Sequence, residues 1–121
     1  MNLLERREWV IETRAHRIRL KPDSLPRVRE GAAELTRRRA EAIATMRDET
    51  VGLECFFLEQ TDDRDYLIAV MVAESFEQSK AAVEASLHDI DAYHQQFKRD
   101  TWESGRRLEL LVDLNRLDEQ P

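Results

Sequence analysis

Three residues able to move protons recur at intervals of three in the stretch His88-Asp89-Ile90-Asp91-Ala92-Tyr93-His94. At the α-helical turn of about 100° per residue, His88, Asp91 and His94 fall within an arc of about 120°. A carboxylate beside an imidazole fixes its tautomer and raises its basicity, which suits general acid–base catalysis. His94 and His88 are therefore the candidate acid–base groups, and Asp91 the carboxylate that orients them. A structural reading stands beside this one. His94 shares a helical stripe with Leu87, Ile90, Phe97 and Thr101, so its ring also reads as a core ring satisfied by backbone groups. Asp91 near a helix start is also favoured by the helix dipole alone. Two histidines and a carboxylate are a legitimate metal-ligand set, but ligands on one helix usually sit four apart. A second element, such as Glu54, would have to contribute, and no metal site is expected.

Arg17 and Arg19 alternate with Ile18 and Leu20. If the aliphatic pair meets the core, the arginines project from the opposite sheet face, where a guanidinium holds a carboxylate or phosphate bidentately. The competing reading is an ion pair across an interface, with Glu54 or Glu109 as partner. Glu54, Arg17, Arg19 and Trp102 are the candidate substrate contacts, Trp102 either stacking on a ligand or sealing the core. Cys55 sits in an apolar run without an evident base, so packing explains it better than nucleophilic chemistry.

Composition removes several classes of function. The 121 residues carry a formal net charge of -6, which disfavours binding to phosphate backbones. The basic run Arg37-Arg38-Arg39 lies among acids in a helical pattern and reads as a solvated face. The three glycines, Gly31, Gly52 and Gly105, form no phosphate-binding loop, so no nucleotide cofactor is expected. A single cysteine excludes an internal disulfide and is compatible with a reducing cytoplasm. No apolar run approaches the ~20 residues of a membrane span, and the charged start of the chain is unlike a signal peptide. The expectation is a cytoplasmic protein with no cofactor, no nucleic-acid partner and no membrane partner.

The elements that must position these residues are legible from periodicity. Thr13–Leu20 reads as a strand, followed by the stop Lys21-Pro22-Asp23-Ser24, with Ser24 as N-cap and Pro26 in the first helical turn. One long helix is expected to about Asp48, with the stripe Val28, Ala32, Leu35, Ala42, Ile43 and Met46. Leu53–Glu59 and Tyr66–Ala73 read as a hairpin across the polar turn 61–64. A second helical region runs from Ser75 to about Glu103 and restarts near Ser86, expected as an N-cap. Gly105 marks its exit, and Arg107–Leu114 alternates as a last strand. The expected organisation is an N-terminal extension over 1–12, one domain over 13–116 and a tail over 117–121.

This β-α-β-β-α-β order gives an α+β, ferredoxin-like fold: a four-stranded antiparallel sheet with its helices on one face and the first and third strands central. The third strand is apolar on both sides, so the helix-free face needs a cover. A second copy supplies it economically, as a homodimer through the sheet face.

Three stretches carry a resemblance: Arg17-Ile18-Arg19-Leu20-Lys21-Pro22, Leu53-Glu54-Cys55-Phe56-Phe57 and His88-Asp89-Ile90-Asp91-Ala92-Tyr93-His94-Gln95-Gln96-Phe97. With them the chain resembles a bacterial family known only as a domain of unknown function, within the dimeric α/β-barrel superfamily. The resemblance implies a ferredoxin-like subunit that dimerises sheet to sheet. That superfamily includes cofactor-free monooxygenases, sugar mutarotases, small-lactone isomerases and haem-degrading enzymes, and fold does not choose among them. The expected function is a homodimeric binder of an unknown small molecule, of the cofactor-free monooxygenase or isomerase kind. The alternative is a non-catalytic dimeric module, structural or ligand-sensing.

Overall fold

The computed structural model describes residues 11–117. The expected N-terminal extension therefore falls outside the described residues apart from 11 and 12, as does the tail beyond 117. Eight elements follow one another: β1 (Glu12–Leu20), α1 (Leu25–Arg37), α2 (Arg39–Asp48), β2 (Val51–Gln60), β3 (Asp65–Ala73), α3 (Phe76–Ala85), α4 (Asp89–Thr101) and β4 (Trp102–Arg107).

The four strands form one antiparallel sheet in the order β2-β3-β1-β4, so β3 and β1 are central. Register fixes the two faces. Ile18 lies opposite Leu67, and Leu67 opposite Leu58. Ile18, Leu20 and Leu67 are buried together with Val28 of α1 and Phe97 of α4. Strand alternation then turns Arg17, Arg19, Phe57, Tyr66, Ile68 and Val70 to the opposite face. That face carries no helix, and Phe57 on it is 59% exposed.

α1 and α4 meet through Gly31. A β-carbon there would overlap the Phe97 ring, so only glycine lets the two helices approach this closely. The hairpin between β2 and β3 is tied by Thr61, whose hydroxyl donates to the Arg64 carbonyl at 2.7 Å.

Several expectations need correction. The single long helix is two, broken at Arg38, whose ψ of 34° leaves helical geometry. No proline or glycine marks the break, and Arg38 N–H still reaches the Glu34 carbonyl, so the apolar stripe runs through it without a signal. The last strand is Trp102–Arg107, not Arg107–Leu114. α4 passes into it with no loop: Trp102 pairs with Leu20, Gly105 pairs with Ile18 inside the strand, and Lys21 N–H bonds the Thr101 carbonyl. One further bond, Leu108 N–H to the Ala15 carbonyl, extends the pairing, after which the alternating residues Leu110, Leu111, Val112 and Leu114 are exposed. Finally, Ser24 occupies the N-cap position of α1 but makes no side-chain cap bond, and its hydroxyl is buried without a partner.

The second helical region does break at Ser86–His88. The cap position of α4 falls on His88 rather than Ser86. Ser86 still ties the turn: its hydroxyl accepts from His88 N–H at 3.1 Å and donates to the Asp91 carboxylate.

Candidate functional site

A cavity of about 590 Å³ lies between the helix-covered face of β2 and β3 and the helices α1, α2 and α4. Its walls are mainly apolar, including Ile43, Met46, Phe56, Met71 and Ile90. Its charged and titratable groups include Arg39 from α2, Glu49 from the end of α2, Glu54 from β2, and Asp91, His94 and Lys98 from one face of α4. The last three are spaced so that consecutive turns of one helix bring them to a common side.

His94 is set edge-on to Phe56, with ring centroids 5.9 Å apart, and tilted against Phe97 at 6.0 Å. Its Nε2 is enclosed and has no hydrogen-bond partner. Burial, with the Lys98 charge adding to it, pushes its pKa down from 6.5 to about 4. The ring is therefore neutral at pH 7.

The carboxyls shift the other way. Burial, then the nearby Asp91 and Glu54 charges, raise Glu49 from 4.5 to about 7. Burial also raises Glu54, with Lys98 opposing and Asp91 assisting. Neither carboxyl has a hydrogen bond or ion pair among the described residues, and Lys98 instead places its ammonium 5.0 Å from the centre of the Trp102 ring.

Glu49 is held firmly. Its N–H bonds the Thr45 carbonyl, and its own carbonyl accepts from the Ser79 hydroxyl. The next residue, Thr50, has φ of 59°, a conformation that strains a β-branched residue. Strain of this kind persists only where surrounding structure enforces it.

Of the residues singled out in the sequence, His94, Asp91 and Glu54 line this cavity. His88 does not. As the N-cap it has extended backbone, with ψ of 132°, so the helical arc that joined it to Asp91 and His94 does not apply. Its Nε2 lies 2.9 Å from the Asp48 carboxylate at the surface. Arg17 and Arg19 are on the opposite sheet face. Arg17 stacks on Tyr66 at 3.6 Å and pairs with Glu59 at 2.8 Å, while Arg19 pairs with Glu103 at 3.2 Å. Trp102 packs against the core, with its indole N–H enclosed and unpartnered. Cys55 is a free thiol, half-buried, at the cavity margin.

Glu49 and Lys98 were not anticipated. Lys98 had a signal, since it lies four residues after His94 and seven after Asp91. Glu49 had none, because it is the C-cap of α2, beyond the last residue of the helical pattern. Among the described residues no group of three or more His, Cys, Asp or Glu side chains is placed to hold a metal ion.

The strand order, antiparallel pairing and one-sided helices define an α+β protein of the ferredoxin-like class, with a cavity between its two layers. The chain belongs to the family described as a family of unknown function, DUF6176, which it matches over residues 11–119. No curated protein matches it. A crystal structure named as an antibiotic biosynthesis monooxygenase, from Chloroflexus aurantiacus J-10-fl, is similar in fold. It is 13% identical, with 88% of this chain and 98% of that chain covered and a TM-score of 0.41. Among the described residues no helix is long and apolar enough to cross a membrane.

Proposed function

We propose that this chain is a homodimeric small-molecule-binding protein whose cavity performs acid–base chemistry without a cofactor, of the kind a cofactor-free monooxygenase or an isomerase uses. The observation that carries the reading is the His94 imidazole, neutral at pH 7, lining a cavity of about 590 Å³ together with Glu54 and Lys98. Pockets of a few hundred Å³ with apolar walls and few polar groups suit small organic ligands. Glu54, its proton affinity raised by burial, is suited to take a proton from an acidic C–H or O–H of the substrate. His94 then hydrogen-bonds the substrate, and the Lys98 ammonium favours the anion that forms. That anion is either reprotonated elsewhere, an isomerisation, or oxidised by dioxygen, an oxygenation. Asp91, tied by Ser86, orients the polar side of α4.

The dimer reading rests on the helix-free sheet face, where Phe57, Tyr66, Ile68 and Val70 make a largely apolar surface. Arg17 and Arg19 on that face are ion-paired within the subunit, so we place them at the interface rather than in the cavity. The lone thiol and acidic surface fit a cytoplasmic setting.

The second reading, a non-catalytic dimeric module, is favoured by the position of His94 between two phenylalanines, which is also that of a core ring. A thermal-shift screen of small polar and aromatic compounds separates the two. The first reading expects compounds that stabilise the wild type but neither His94→Gln nor Glu54→Gln. If no compound acts, or if both variants respond as the wild type does, the non-catalytic module is correct. Sedimentation at micromolar concentration tests the dimer, and a monomer overturns it.

A further inference from the structure

Three carboxylates face one apolar-walled cavity, and none of them is ion-paired among the described residues. Glu49 and Glu54 have neither hydrogen bond nor ion pair among the described residues, and Asp91 has only the Ser86 hydroxyl as side-chain partner. Two basic residues line the same space. Lys98 lies 5.0 Å from the Trp102 ring centre and forms no ion pair with any of the three acids, although its charge favours the ionised forms of Glu49 and Glu54. Arg39 is exposed at the margin. The acids are too dispersed for a metal ion, since no group of three metal-ligating side chains converges among the described residues.

Like charges gathered in a poorly solvated space repel, and Glu49 and Glu54 resist ionisation. The arrangement is stabilised if a positive charge enters with its own apolar surface, because the cation takes the place of lost water at the carboxylates while the body covers Ile43, Met46, Phe56 and Met71. A metal or hydrated inorganic cation satisfies only half of this description. An anionic ligand meets three acids against one engaged lysine and one marginal arginine.

We infer that the cavity takes a small organic cation, with an ammonium or amidinium head among Glu49, Glu54 and Asp91 and an aliphatic or aromatic body along the apolar wall. The inference rests on the reading of this cavity as a ligand site, and adds the charge class of what fills it.

The test is calorimetric titration of the full chain at pH 7.5 with three probes of one shape: 2-phenylethylammonium, 2-phenylethanol and 3-phenylpropionate. The ammonium is expected to bind at least tenfold more tightly than the alcohol, and the carboxylate more weakly than either. Glu49→Gln and Asp91→Asn should each reduce that preference severalfold without unfolding the chain, which circular dichroism verifies. Glu84→Gln, on the exposed side of α3 and outside the cavity, should leave the preference intact. Equal binding of the alcohol, or tighter binding of the carboxylate, overturns the cation while leaving the cavity a ligand site. A preference unchanged in Glu49→Gln and Asp91→Asn, or lost equally in Glu84→Gln, shows binding to the general acidic surface and also overturns it. If none of the three probes binds, the cation and the ligand-site reading fall together.

Discussion

Replacing His94 with leucine should stabilise the protein, and by more in acid than in base. The argument has two parts of different origin. At pH 8 the imidazole is neutral in both folded and unfolded chains, and what differs is the enclosed, unpartnered Nε2. Leaving such a group unsatisfied costs about 1–3 kcal/mol. Leucine removes the polar atom and keeps an apolar contact with Phe56 and Phe97. In acid a second contribution appears. The folded-state pKa is depressed from 6.5 to about 4, so the unfolded chain takes up a proton at pH values where the folded chain does not. Wild-type stability is therefore lost progressively as pH falls from 6.5 towards 4. At about 1.36 kcal/mol per tenfold change in proton affinity, the whole gap is roughly 3 kcal/mol, most of it already lost at pH 4.5. Glu49, Glu54 and His16 titrate in both proteins, so their contributions cancel to first order in the difference. Urea denaturation of wild type and His94→Leu at pH 8 and pH 4.5 should show a gap in favour of leucine that widens by roughly 2–3 kcal/mol at the lower pH. A gap that stays constant with pH would mean that His94 is solvated or paired. A less stable leucine variant would mean that Nε2 has a partner.

Gly31→Ala should cost about 1–3 kcal/mol through overlap with Phe97, measured by thermal denaturation; a stabilised variant, as at an ordinary exposed helical glycine, refutes the close α1–α4 contact. Glu49→Gln should stabilise by up to roughly 3 kcal/mol above pH 8, because its folded-state pKa of about 7 lies above 4.5 and the charged form is disfavoured in the native state. That gain should shrink as pH falls through 7 and vanish near 4.5, and a gain independent of pH refutes it. Val70→Asp should weaken the proposed dimer more than tenfold in sedimentation while leaving the far-ultraviolet circular dichroism of the subunit unchanged. An undisturbed dimer would place the interface elsewhere.

The order of elements was legible because period-2 and period-3.6 patterns are strong in β1, β3, α1 and α4. What escaped detection depended on tertiary choices. The Arg38 break interrupts neither the apolar stripe nor the hydrogen-bond ladder for more than one residue. The alternating run after Arg107 has a strand's pattern but only a single backbone bond to β1, through Leu108. The pairing edge was taken instead by Trp102–Arg107, where Trp102 supplies core contact that exposed leucines do not. At the site, helical spacing was sufficient to put Asp91 and His94 on a shared face. It misled for His88, because a residue at the cap does not keep the helix's angular phase. Glu49 was hidden for a related reason: it is the C-cap of α2, beyond the last residue of the helical pattern.

These features divide the molecule into two halves with different tolerances. Around β1, β4, the start of α1 and the end of α4, Ile18, Leu20, Val28, Leu67 and Phe97 fill the space between sheet and helices. Around β2, α2 and the first turns of α4, the same two layers enclose a cavity instead, with carboxyls and an imidazole where a core would place aliphatic side chains. A chain selected for stability alone would fill that space, since a leucine in place of His94 and an amide in place of Glu49 each remove an electrostatic penalty. Retention of both groups beside an open volume fits the proposed ligand site better than a core selected for stability alone. The direction of the two substitutions is therefore the sharpest test of that view: both should stabilise the protein while weakening whatever the cavity binds. If either variant is both less stable and unimpaired in binding, the residue is structural, and the cavity is a packing defect rather than a site.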